Sequence, residues 1–229
     1  MNLAVLKSLT LSGVEWEVIE SRHELTGPAA RAVISPVPAL AGMKKSGNMP
    51  MSHQEILEQG RRLATEDNIP EAIGRFVSHP LYQSAKNTVP PHIGGTRLCV
   101  VTDMPSLADD ASGIILSGAD GELFDKMIGA IGLSRADITI VPLVFWRPAG
   151  GRCPTAEELA AARPLVDRII AGAPKVLAMG KLAAAEIAGA KLPGDHGKVF
   201  GNVIVTYKPD FIMQNPGVKA AVFEALKLI

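Results

Sequence analysis

The side chains able to do chemistry gather in a few stretches, each following a short apolar run. Asp103, Asp109, Asp110 and Asp120 lie within 103–121. Arg147, Arg152 and Cys153 lie within 145–154, Lys181 follows Gly180, and Lys208 opens 208–216. A carboxylate where a strand ends can position a water as a general base, or it can cap the following turn. A lysine ammonium can stabilise an anion or contact a phosphate, and a guanidinium can grip a phosphate through two parallel hydrogen bonds. The plain structural alternative for Arg147 and Arg152 is a pair of salt bridges to Glu157 or Glu158. Cys99 and Cys153 make neither metal-ligand spacing nor a disulfide framework. Cys99 sits inside an apolar run and reads as a buried strand residue, while Cys153 reads as part of a polar loop.

The elements that must position these residues alternate in type. Leu98–Thr102, 138–144, 175–179 and 203–207 are short, apolar and largely β-branched, the signature of buried strands. Between and after them, 122–131 carries apolar residues at helical spacing. Thr155 caps a helix reaching Ile170, with Glu157 and Glu158 in its first turn, where the helix dipole favours negative charge. Short helices are predicted over 181–187 and 218–228. Strands separated by helices of this length need crossover connections, which implies a parallel sheet covered on both faces. The expected fold is therefore α/β, a three-layer α/β/α sandwich around a central parallel four-stranded sheet. In such sheets ligands meet the loops after the strand C-termini, where the residues above lie.

Upstream, Ser52 with Glu55 three residues later gives a capping box and a helix to about Ala64, and a second helix spans 70–77. Residues 1–50 read as an N-terminal extension and linker: 2–20 as helix or hairpin, then a stretch punctuated by Pro36, Pro38, Gly42, Gly47 and Pro50. Residues 51–229 read as the main domain. Apolar residues make up 47% and charged ones 20%, and 23 basic residues balance 23 acidic ones. Net neutrality argues against a strongly basic nucleic-acid binder but leaves room for a local basic patch. No apolar run approaches the roughly 18 residues a membrane span needs, and no signal peptide stands out, so the expected location is cytoplasmic.

Several stretches together resemble a known family. The segment Phe145-Trp-Arg-Pro-Ala-Gly-Gly-Arg-Cys-Pro-Thr-Ala-Glu-Glu158 is similar to the Arg-Pro-Pro-x-Asn-Arg-x-Pro-Thr-x-x-Glu loop and helix of family-4 uracil-DNA glycosylases. Asp125-Lys-Met-Ile-Gly-Ala-Ile-Gly-Leu133 resembles the helix after that family's first motif, and Ala85-Lys-Asn-Thr-Val89 the segment leading into its first strand. Trp146 resembles an alphaproteobacterial subset without the iron–sulfur cluster. The ordered set runs over about 69–229. The resemblance implies the uracil-DNA glycosylase-like fold, DNA as partner, and hydrolysis of a glycosidic bond after base flipping, which exposes the base edge at the cost of unstacking.

The resemblance also shows where this chain departs. The family's Gly-Glu-x-Pro-Gly becomes Thr102-Asp103-Met104-Pro105-Ser106. Asp103 stands at the water-positioning place, one methylene shorter, and a misplacement of about 1 Å can cost on the order of 100-fold. Leu116 stands where the family stacks a Phe on the base. Pro142 stands where an Asn reads uracil and offers no side-chain hydrogen bond. Lys208 replaces the motif His and keeps a cation without imidazole chemistry. Catalysis would thus rest on Asp103 and Lys208, and substrate contact on Met104, Leu116 and Pro142. The resemblance assigns DNA contact to Arg147, Arg152, Lys198, Phe211 and Ile212, with 211–213 resembling a wedge for the gap left by a flipped base. That trio could equally pack under its loop. Asp109, Asp110 and Asp120 add negative charge near the supposed DNA face. The family's cluster cysteines fall on His79, Tyr82, Trp146 and Ala162, so no iron–sulfur cluster, and no other cofactor or metal, is expected.

The expected function is a DNA-binding, base-excision-repair-related superfamily protein with degraded or absent uracil excision. One alternative is an active glycosylase of altered base specificity, with Asp103 positioning water. Another is a non-catalytic protein-interaction module on the same fold.

Overall fold

The computed structural model describes residues 51–229. The readings for 1–50 lie outside the described residues. Among the described residues the sheet has six strands: β1 (His92–Ile93), β2 (Leu98–Thr102), β3 (Ile138–Pro142), β4 (Val176–Met179), β5 (Val199–Phe200) and β6 (Val203–Thr206). Their order is β1-β3-β2-β4-β6-β5. The four inner strands run parallel, while β1 and β5 add antiparallel edges of two residues each. The predicted four-stranded parallel core is therefore present. The edge strands lie beyond the expectation, since two residues carry no readable period.

The helices are α1 (His53–Leu63), α2 (Ile69–Gly74), α3 (Leu107–Ser112), α4 (Gly118–Gly129), α5 (Ala156–Ile170), α6 (Lys181–Ala188), α7 (Pro209–Gln214) and α8 (Lys219–Leu226). Strand side chains alternate strictly between two cores. Cys99, Val101, Val176, Ala178, Val203 and Val205 point to the core packed by α1, α2, α5 and α6. Leu98, Val100, Ile138, Ile140, Leu177, Met179 and Ile204 point to the core packed by α4, α7 and α8. This is the three-layer sandwich. No helix among the described residues is long and apolar enough to cross a membrane.

Local signals explain the helix starts. Ser52 with Glu55, and Thr155 with Glu158, form the capping boxes read from the sequence. A third box, Ser106 with Asp109, starts α3, which hydrophobic periodicity does not reveal because the helix has six residues with Leu107 as its one large apolar side chain. Gly60 marks a close crossing: a Cβ there would strike the Ala161 carbonyl, so α1 and α5 touch backbone to backbone. Cys99 is buried, and burial pushes its thiol up to about 12, where it stays protonated and inert.

Candidate functional site

The inner strands end side by side, so their following residues converge. Thr102 pairs with Pro142 on one side and Met179 on the other, and Met179 pairs with Thr206. Asp103, Gly180 and Lys208 therefore share one edge of the sheet.

Asp103 turns inward. Its residue is 9% exposed, and Oδ1 accepts a 2.8 Å hydrogen bond from the Ala183 amide in the first turn of α6. The N-cap of α6 is Gly180, which has no side chain to offer, and its φ of 120° is open essentially to glycine. A Cβ at Gly180 would collide with the Asp103 carboxylate. Asp103 thus caps a helix 80 residues downstream, rather than the following turn that the sequence suggested. Burial pushes its pKa up, opposed by the Ala183 amide and the Lys208 charge.

Lys208 directs Nζ to Asp210 at 2.9 Å, with both side chains about one-third exposed. Burial pulls the Lys208 pKa down, but Asp210 and then Asp103 and Asp120 outweigh it, and the net shift is upward. Asp120, in the first turn of α4, is pushed up by burial and by Asp210 and Asp109, with Lys208 opposing. One ammonium therefore sits among three carboxylates. The upward shift of its pKa holds the lysine charged, with carboxylates about it.

Leu116 has φ 50°, the only positive value for a non-glycine among the described residues, and is 5% exposed. Its carbonyl accepts from Arg135 Nη2 at 2.6 Å, and Arg135 Nη1 reaches the Ile115 carbonyl at 3.1 Å. A left-handed conformation costs roughly 1–3 kcal/mol and persists where surroundings over-determine it; here the guanidinium fork and the core against Leu116 do so. Pro142 is buried at the end of β3 beside Thr102, and Met104 is half-buried against the α5 side of the core.

The residues assigned to DNA contact divide. Arg152 makes a bidentate pair with Glu158 at 2.8 and 2.6 Å, and Glu158 also serves the Thr155 capping box. Its guanidinium braces the start of α5, the structural alternative. The Arg147 guanidinium lies over Gly151, whose φ of 71° places the backbone beneath it. Lys198 is exposed and pairs with Asp195 at 2.8 Å. Ile212 corrects the wedge reading: it is 2% exposed and packed in the core with Val222 and Leu226. Phe211 is half-buried and stacks on Tyr207 at 4.6 Å, leaving Met213, 42% exposed, as the presented member of the trio.

Two further groups were missed. Asp109 is buried and accepts from Ser106 N, Ser117 N and Ser117 Oγ at 2.7–3.0 Å, while Asp110 Oδ1 accepts from the Lys86 and Asn87 amides. Asp109 holds the 103–118 stretch together and Asp110 ties it to 86–87, so both carboxylates are engaged by backbone amides. The Ser106-x-x-Asp109 spacing was the available signal. His196 stacks on Tyr207 at 4.3 Å, which extends the Phe211 stack to three rings beside Lys208. Residues this far apart in sequence leave no local pattern. Leu107 and Ile114, 72% and 59% exposed, border the same loop.

The residues at the cluster-cysteine positions do not fit an iron–sulfur group. None supplies a thiolate. His79 Nδ1 accepts from the Leu81 amide at 3.2 Å, and the Nε2–H this leaves donates to the Glu158 carbonyl at 3.0 Å. Trp146 Nε1 donates to Thr88 Oγ1 at 2.9 Å, and Ala162 is fully buried.

Comparison with known proteins gives the family. A family model described as "Uracil DNA glycosylase superfamily" matches residues 91–227. Three curated relatives are each named Type-4 uracil-DNA glycosylase. The one from Pyrobaculum aerophilum is 29% identical over 158 residues, which is 61% of this chain and 80% of the relative. Those from Saccharolobus solfataricus and Archaeoglobus fulgidus are 31% and 33% identical over 107 and 81 residues, 45% and 34% of this chain and 49% and 40% of their own lengths.

Proposed function

This chain belongs to the uracil DNA glycosylase superfamily, and from that premise we propose that it is a DNA-directed, base-excision-repair-related protein whose uracil excision is degraded or lost. The observation carrying this reading is the commitment of Asp103 to the α6 amides. A carboxylate that positions water must offer an oxygen to that water, and Asp103 has Oδ1 taken by the first turn of α6. The Lys208 ammonium, surrounded by carboxylates, adds little to a departing uracil anion. Pro142 and Leu116 offer neither a side-chain amide nor an aromatic ring to the base.

Contact with DNA then falls to Arg147, Lys198, Met213 and the Phe211 ring. The deciding measurement pairs uracil excision from single-stranded DNA with salt-dependent binding to a short duplex. The expected outcome is binding that weakens with salt, and excision orders of magnitude below the type-4 relatives. Excision at their rate overturns the reading. Absence of binding at low salt favours the protein-interaction module.

One observation favours the second reading, an active glycosylase of altered base specificity. Asp103 and Lys208 still share one electrostatic centre at the strand ends. A panel of DNA substrates carrying uracil, hypoxanthine, xanthine or alkylated bases tests it. Abasic product on any of them, abolished by Asp103→Ala, would establish it.

A further inference from the structure

Five aromatic rings meet where the chain leaves β3 and enters α5, with Trp146 as their hub. His79 stacks on Trp146 with ring centroids 4.6 Å apart and planes 27° apart. Phe76, Tyr82 and Phe145 meet the indole edgewise at 6.0, 6.1 and 5.8 Å, and Phe76 also meets His79 at 5.3 Å. Trp146, Phe76 and Phe145 are at most 1% exposed, and Ala162 of α5 belongs to the same buried core. Stacked and edge-to-face pairs at these separations are attractive beyond the area they bury.

The assembly joins pieces of chain with little else in common. Phe76 follows α2, His79 and Tyr82 belong to the turn around Pro80–Gln83, Trp146 lies in the loop after β3, and Ala162 and Glu158 belong to α5. The hydrogen bonds trace the same links. His79 reaches α5 through the Glu158 carbonyl, and Trp146 reaches the 85–89 segment through Thr88. The Val89 amide donates to the Phe145 carbonyl at 2.8 Å. Four cysteines at 79, 82, 146 and 162 holding one metal cluster would bind these segments together in the same way.

We propose that the His79–Tyr82–Trp146 rings, with Ala162 in the same buried core as Trp146, are a metal-free clamp in the structural place of an iron–sulfur cluster, and that they hold the 76–89 segment to the sheet without iron. His79 is fixed in one neutral tautomer because each ring nitrogen has a backbone partner. Indole and imidazole faces fill the volume that metal and sulfide would otherwise need. Chelators that dismantle a cluster find no metal to remove from this clamp.

The full chain, incubated anaerobically with ferrous iron and sulfide and then desalted, is expected to retain no iron above background. Its unfolding midpoint is expected to be the same with or without chelator. Trp146→Ala is expected to lower that midpoint by roughly 10 °C, and the milder Trp146→Phe by less. Stoichiometric iron in the wild-type chain, or a Trp146→Ala midpoint equal to wild type, overturns the proposal. Positional equivalence is tested by the quadruple variant His79→Cys, Tyr82→Cys, Trp146→Cys, Ala162→Cys. It is expected to take up iron and sulfide, turn brown and melt higher with the cluster than without. No uptake under reconstitution shows that the four positions are not equivalent to a cluster site.

Discussion

Two regions of this molecule have exchanged the side chains that the family resemblance leads one to expect, with opposite results. Around Trp146, four positions that the resemblance assigns to cysteines hold three rings and a methyl group, and the ring nitrogens of His79 and Trp146 all have partners. Around Asp103 and Lys208, the replacements leave three carboxylates about one ammonium, a helix capped from a distance and a left-handed leucine. Apolar packing absorbs a lost metal site readily, because rings supply dispersion and need little geometry. The strand-end site, on the function proposed above, cannot be filled that way. Its charges lie at the strand ends, where solvent and ligand must enter, and each must be held by another polar group.

The largest effect should come from the ring region. Trp146→Ala removes a side chain that is 1% exposed and the centre of the assembly, with an expected cost of about 3–5 kcal/mol, read by urea unfolding. A loss under about 1 kcal/mol would mean that the two regions do not differ as described.

Acid should act on the same region next. Burial, offset in part by the Glu158 carbonyl and carboxylate, lowers the His79 pKa from 6.5 to about 4. The unfolded chain therefore binds the proton more tightly. The contribution of neutral His79 is full above about pH 6.5 and is lost as pH falls toward 4, up to about 3 kcal/mol. The charges facing this ring are Glu158 and, through it, Arg152. His79→Gln should flatten the stability profile between pH 4 and 6.5, and an unchanged slope would assign the acid sensitivity elsewhere.

The strand-end region should respond less. Asp103→Ala deletes the α6 cap and should cost about 1–2 kcal/mol. Asp103→Asn keeps an acceptor, removes a buried charge and should stay within about 0.5 kcal/mol. If Asp103→Asn were as damaging as Asp103→Ala, the carboxylate charge itself would matter, and the water-positioning role would regain ground. Smallest of all, Lys208→Ala should change stability by less than about 0.5 kcal/mol, since the pair with Asp210 is partly solvated. If Lys208 touches a phosphate, its loss should reduce the salt slope of DNA binding by about one; an unchanged slope confines it to the carboxylate centre.

The inner sheet and the long helices were legible because their causes are local. Short unbroken apolar runs such as Leu98–Val101 announce strands buried on both faces, and Ser52 and Thr155 announce the helices that follow. The site was legible in part. Its placement at the strand ends follows from the parallel topology, and Asp103 and Lys208 do meet there. Other features depend on residues brought together only by folding. Asp103 caps at Ala183, Arg135 braces Leu116, and Trp146 gathers rings from 76 to 82. Ile212 shows the remaining ambiguity: an apolar trio on a short helix reads the same whether it faces a duplex or a core.

Gly180, seated beneath the Asp103 carboxylate, also constrains how this protein can change over generations. Any side chain at 180 displaces the acid, and a longer acid at 103 must find room against the α6 amides it already touches. The two positions are locked to each other, so the reach that an extra methylene would give is not recovered by one substitution. In population terms the shortened acid is a ratchet. On the function proposed above, a lineage carrying it would reach a water-directing carboxylate by moving α6 or by recruiting another residue, such as Asp120, which feels the Lys208 charge from α4.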